Sequence, residues 1–115
     1  MSEKQQKVIN LPEREHSNED YLIKQCAKRQ WDCWKLTVPA RRGVPDRLIL
    51  ADAGVIVLCE VKKKDGLLSS LQSRTLMKLS DRGMAVFVVF SKEDVDGLIN
   101  FIEDAIKKVK SGIRT

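Results

Sequence analysis

The sequence predicts an α/β fold, a mixed central sheet flanked by helices in the order α-β-β-β-α-β-α. Three observations lead to it. The run VIVLC at 55–59 is continuously apolar, as expected of a central strand covered on both faces. A second apolar run, AVFVVF at 85–90, follows a helical segment, so a hairpin and a crossover share one sheet. Val95, Leu98, Ile99, Ile102, Ala105, Ile106 and Val109 recur at helical spacing and mark the last helix.

Taken in order, residues 1–16 are polar and read as a flexible leader, without the apolar stretch of a signal peptide. Ser17 with Asp20 three residues on fits an N-cap for a helix over 18–31, whose apolar face is Leu22, Ile23, Cys26 and Ala27. WKLTV (34–38) is a strand, and PARRGVP (39–45) is a loop punctuated by two prolines and a glycine. DRLILA (46–51) and VIVLCEVK (55–62) form a hairpin about a turn at Asp52, Ala53 and Gly54. KKDGLL (63–68) leads to a helix over 69–82 that stops at Gly83. After the strand at 85–90, Ser91 and Asp94 cap the last helix, and 111–115 is a frayed tail. A single domain therefore spans 17–110.

The bulk properties narrow the function classes. The chain has 115 residues, enough for one domain with a real core. No apolar run approaches the roughly 18 residues that suggest a membrane span, so a cytoplasmic protein is expected. Cys26, Cys33 and Cys59 are odd in number and lack CxxC spacing, and His16 is the one histidine; this argues against a zinc site or a disulfide framework. The net charge is +5, and it clusters: Arg41, Arg42 and Arg47 lie near one end of the hairpin, and Lys62, Lys63 and Lys64 end its second strand. Such clusters suit phosphate contacts, whereas an aromatic content of 5% disfavours binding dominated by base stacking. Trp31, Trp34, Phe87, Phe90 and Phe101 are expected in the core.

The charges on the sheet carry the chemistry. Side chains alternate along a strand, so Glu60 and Lys62 share the face of Ile56 and Leu58. Counting outward from the turn, Asp46 falls opposite residues 60–61, within cross-strand reach. Two carboxylates at the rim of a sheet are costly without a counter-charge. A hard divalent cation, Mg²⁺ or Mn²⁺, removes the repulsion, with oxygens from Asp46, Glu60 and the backbone carbonyl of Val61. Such an ion activates water and polarises a phosphoryl oxygen, and Lys62 is placed to orient or deprotonate the nucleophile or to neutralise the phosphate.

These residues resemble a known family. GVPD before a hairpin, then an E-x-K strand, is similar to the PD-(D/E)xK nuclease superfamily and its restriction-endonuclease-like core. Within that superfamily the chain most resembles the VRR-NUC family, through RRGVPDRLIL, VIVLCEVK, a short basic Gly-containing linker, S-x-L-Q opening the next helix, G-x-x-V-F-V-V and S-K-E-D-V, over about residues 17–102. The resemblance implies a metal-dependent DNA nuclease of the small stand-alone, phage or bacterial type, with Asp46 and Glu60 on the metal and Lys62 catalytic. It gives Gln72 to the active site, Glu19 to the metal directly or through water, and Lys35 to a basic position of the first strand that joins the DNA-contacting set. The linker KKKDG is more basic than the family's usual one.

Other roles compete residue by residue. Asp46 also suits a turn, Glu60 and Lys62 an ordinary ion pair, and Glu19 the dipole of a helix's first turn. Ser69-Ser70-Leu71-Gln72 reads as a capping box, which would occupy Gln72 away from any site. The function expected is a metal-dependent endonuclease resembling Holliday-junction resolvases, acting as a homodimer on branched DNA, with the apolar face of the last helix serving as interface or as core. The alternatives are a monomeric flap or nicking nuclease and a non-catalytic DNA-binding module.

Overall fold

A computed structural model describes residues 15–112. Most of the expected leader and the last three residues of the expected tail lie outside them. The elements are α1 (Glu15–Lys28), β1 (Asp32–Lys35), β2 (Arg47–Leu50), β3 (Ile56–Val61), α2 (Ser70–Asp81), β4 (Val86–Val89) and α3 (Lys92–Lys110). A single turn of 3₁₀ helix, Asp52–Gly54, closes the β2–β3 hairpin. The element order is the expected one.

The sheet runs β1-β2-β3-β4, antiparallel except for the parallel β3–β4 pair. Strand β3 is central, and five of its six residues are buried. Its alternation divides the molecule. Val57, Cys59 and Val61 join Ile49, Val89 and the inward stripes of α1 and α3 in the main core. Leu58 and Glu60 point to the opposite face, where α2 contributes the buried Thr75 and Leu76. In α3, Val95, Leu98, Ile99, Ile102 and Ile106 are all buried in that core. The apolar face considered as a subunit interface is therefore consumed within one chain. Among the described residues no helix is long and apolar enough to cross a membrane.

Several expectations need correction. Ser17 is not an N-cap, because α1 already includes Glu15 and His16. The helix ends before residue 31 because Gln30 adopts the left-handed conformation (φ 63°) and the Trp31 N–H bonds back to the Cys26 carbonyl at 3.0 Å. Strand β1 occupies 32–35, earlier than 34–38, since it must pair in register with β2; one further bond, Leu36 N–H to the Asp46 carbonyl at 2.9 Å, extends the ladder before the chain turns away. On this edge strand Trp34 is cross-strand from Leu48, on the side of the sheet where α2 packs, and remains 55% exposed. Phe101 is also largely exposed, with its ring 4.9 Å from that of Phe87. Trp31, by contrast, is buried as expected.

The loop before β2 is held close to α2 by a glycine. Gly43 has φ +82°, and a Cβ there would lie 2.8 Å from Leu71 Cγ and 3.2 Å from both the Leu71 carbonyl oxygen and Thr75 Oγ1. Gly43→Ala is expected to lower stability by about 1–3 kcal/mol through the backbone conformation alone, with the steric overlap adding to it. Chemical denaturation of the variant beside wild type measures this, and an unchanged midpoint would disprove the close packing.

Candidate active site

The structure brings Asp46, Glu60, Lys62 and Gln72 together at the C-terminal end of β3. Register places Arg47 opposite Cys59, so Asp46 falls beside Glu60. The Asp46 side chain completes the ladder: its Oδ2 accepts the Val61 N–H at 2.8 Å. Pro45 precedes it and has no N–H of its own to offer the sheet. In an extended strand a residue's N–H and C=O leave on the same side. The Val61 carbonyl therefore faces the Asp46 side, whereas the Lys62 N–H bonds to the Val89 carbonyl on the other, at 2.8 Å.

Glu60 is 2% exposed, on the α2 side of the sheet. Its Oε2 accepts a hydrogen bond from Gln72 Nε2 at 2.8 Å and lies 3.9 Å from Lys62 Nζ. Gln72 also caps its own helix. Its Oε1 accepts the Ser69 N–H at 2.9 Å, while its backbone N–H donates to Ser69 Oγ at 3.0 Å, which completes the capping box. The two roles that compete in the sequence are thus filled by different atoms of one amide: the carbonyl oxygen caps and the amino group holds Glu60.

Glu19 is not joined to this cluster by any hydrogen bond among the described residues. Its Oε2 accepts from Arg47 Nε at 2.8 Å, in a pair whose side chains are 18% and 14% exposed, and Arg47 also reaches the Cys33 carbonyl at 3.3 Å. Arg47 is cross-strand from Cys59, so this pair lies on the α1 side of the sheet, opposite Glu60. Arg47, expected to contact DNA, is committed to Glu19. Lys35, Arg41, Arg42, Lys63 and Lys64 are all exposed and remain available to phosphates.

Asn18 is a participant that the sequence reading missed. It is 3% exposed and donates from Nδ2 to the Lys62 carbonyl at 2.8 Å, securing the strand where the catalytic lysine is expected. Asn18, Leu22 and Cys26 recur every four residues, so a polar side chain on the buried stripe of α1 was the available signal. The three cysteines are free. Burial pushes the Cys59 thiol above its ordinary value, and Cys59 fills core space. The Cys33 thiol is held low by the neighbouring Cys26 thiol and by Arg47.

The donor set fits a hard cation. Among the described residues no three His, Cys, Asp or Glu side chains gather as a metal cluster. Asp46, Glu60 and the Val61 carbonyl form an all-oxygen set of few ligands, which suits Mg²⁺ because that ion keeps several of its own waters. Zinc prefers nitrogen and sulfur donors, which this set lacks.

No family model matches the chain. It is 34% identical over 80 residues, 70% of its own length and 86% of the relative's, to a protein named "Putative nuclease p44" from Acyrthosiphon pisum secondary endosymbiont phage 1. A solved structure described as a VRR_NUC domain is similar with a TM-score of 0.72 and 33% identity, covering 75% of this chain and 94% of that one.

Three substitutions separate the roles of neighbouring polar groups. Gln72→Glu keeps an acceptor for the Ser69 N–H but replaces the donor to Glu60 with a second carboxylate, whereas Gln72→Ala removes both contacts. Gln72→Ala should lose about 0.5–2 kcal/mol of stability through the cap and the lost hydrogen bond. Glu19→Gln should lower stability by about 1–3 kcal/mol, because Arg47 is left without its counter-charge in a largely buried position. Urea titrations read both, and a Glu19→Gln protein as stable as wild type would show that the Arg47 pair contributes nothing.

Proposed function

Because the chain belongs to the VRR-NUC family, we propose that it is a Mg²⁺- or Mn²⁺-dependent DNA endonuclease that hydrolyses phosphodiester bonds by activated water, with four-way junctions as preferred substrate. The observation that carries this reading is the convergence on one strand end of Asp46, Glu60, Lys62 and Gln72, linked by the contacts Val61 N–H to Asp46, Gln72 to Glu60, and Lys62 beside Glu60.

In this reading Asp46, Glu60 and the Val61 carbonyl hold the cation. When bound, the cation lowers the pKa of water and polarises the phosphoryl oxygen. Gln72 fixes the rotamer of Glu60, so that the carboxylate is oriented before substrate arrives. Asp46 is pinned to the strand in the same way by the Val61 N–H. Lys62, with its side chain 17% exposed, orients the attacking water and offsets charge on the phosphate. Water's oxygen bonds to phosphorus as the ester P–O bond breaks, and the departing alkoxide takes up a proton. Lys35, Arg41, Arg42, Lys63 and Lys64 hold neighbouring phosphates. Phosphoryl transfer requires mainly positioning and electrostatics, so this small set is adequate in kind.

Junction resolution needs two cuts, and a homodimer with twofold symmetry supplies two sites. The surface that pairs the protomers is other than the inward face of α3. Glu19 acts in this reading by holding Arg47 beside Asp46.

The test is cleavage of a labelled four-way junction and the matching linear duplex, in Mn²⁺ or in EDTA, with Lys62→Ala alongside and the solution mass measured. Symmetric, metal-dependent cuts on the junction, abolished in Lys62→Ala and made by a dimer, are expected. Cutting of both substrates at equal rates would remove the junction preference, and metal-independent cutting would remove the mechanism.

A further inference from the structure

The face of the sheet that carries Glu60 also carries an apolar cleft of about 300 Å³, lined by Leu36, Val38, Val44, Pro45, Leu58, Leu79 and Met84, with Thr75 at its base. Three of its residues are close in sequence to site residues. Pro45 precedes Asp46, Leu58 lies two residues before Glu60 on the same face, and Thr75 lies one helical turn beyond Gln72. Three cations stand around it: Arg41 on the loop, Lys78 in the last turn of α2, and Arg82 at the cap position that follows the helix. Among the described residues no carboxylate lines it.

A tryptophan extends this surface. Leu36 continues the ladder of β1, so Trp34 lies two residues away on the same face. Its ring is half-exposed at the sheet edge, although a tryptophan with no role at the surface is better buried.

We propose that this cleft and Trp34 hold an unpaired nucleobase next to the scissile phosphate, with Arg41, Lys78 and Arg82 on the flanking phosphates. The inference rests on the nuclease reading for the position of the scissile bond and deepens it by naming the substrate class: nucleic acid with an unstacked nucleotide at the cut. The chemistry selects that occupant. A paired base buries its faces in the duplex stack and offers only its edges, which a floor of almost wholly apolar side chains reads poorly. An unstacked base presents an apolar face that gains from stacking on an aromatic ring, and its phosphates satisfy the cations. An apolar peptide segment would use the floor but leave three cations unmatched.

The test uses two duplexes of one sequence carrying a fluorescent purine analogue, unpaired in one and paired in the other, with binding measured in EDTA so that no cleavage intervenes. The unpaired probe should bind about ten-fold more tightly, with quenching of tryptophan fluorescence. Trp34→Ala, at an exposed edge position, should lose most of that preference and the quenching while leaving the paired probe's affinity within about two-fold. Lys78→Ala with Arg82→Ala should reduce the salt dependence of binding by about two phosphate contacts. Equal affinity for the two probes, or a preference that survives Trp34→Ala, would overturn the proposal, as would competition by a poly-aspartate peptide as effective as unlabelled single strand. Cleavage in Mn²⁺ is scored separately: a preserved preference without cleavage removes the nuclease reading and keeps the cleft, and cleavage without preference does the reverse.

Discussion

Burial of the Glu60 carboxylate is the constraint around which the site is arranged. A carboxylate at 2% exposure on a central strand is costly unless it is hydrogen-bonded and matched in charge. The chain meets this from two directions. Lys62 comes from the same strand, two residues on, and Gln72 comes from the first turn of α2. The second has a wider effect. Because the same amide of Gln72 closes the capping box, the start of α2 and the orientation of Glu60 are one structural unit, and the helix cannot fray at its N-terminus without releasing the carboxylate.

The sheet separates stability from chemistry by the alternation of β3. One face is closed by two helices and holds nearly all of the large buried side chains. The other has one helix, α2, and retains the carboxylates, the lysine and an open cleft. The Glu19–Arg47 pair belongs to the closed face, where it ties α1 to β2 immediately beside Asp46. Asn18 does the same for the end of β3. Helix α1 thus supports both strands of the hairpin just where the candidate site residues begin.

Much of this was legible in the sequence because it depends on short-range periodicities. The apolar run 55–59 identified the central strand, and a turn at 52–54 was enough to bring Asp46 to Glu60. Gln72 was legible twice, as cap and as site; its amide closes the capping box and also donates to Glu60. What the sequence concealed depends on three-dimensional partners. Glu19 was placed on the correct part of α1, but its hydrogen-bond partner is Arg47, itself expected at DNA. Ser17 satisfies the capping pattern yet lies within the helix, since a pattern of that length cannot exclude an earlier start. Trp34 was expected in the core because tryptophan usually is; its exposure follows from β1 being an edge strand beyond the cover of α2. The amphipathic stripe of α3 was compatible with core or interface, and only its packing on α1 and β4 decides for core.

The Asp46–Val61 contact has a further consequence. A side chain here stands in for a backbone ladder partner, so the protection of one amide depends on the state of one carboxylate. Hydrogen exchange at that amide, a quantity native-state measurements resolve residue by residue, therefore tracks whether Asp46 is docked on the strand or drawn away toward a ligand. The protein carries at its candidate centre a backbone proton that reports engagement of the site without any label, and independently of turnover.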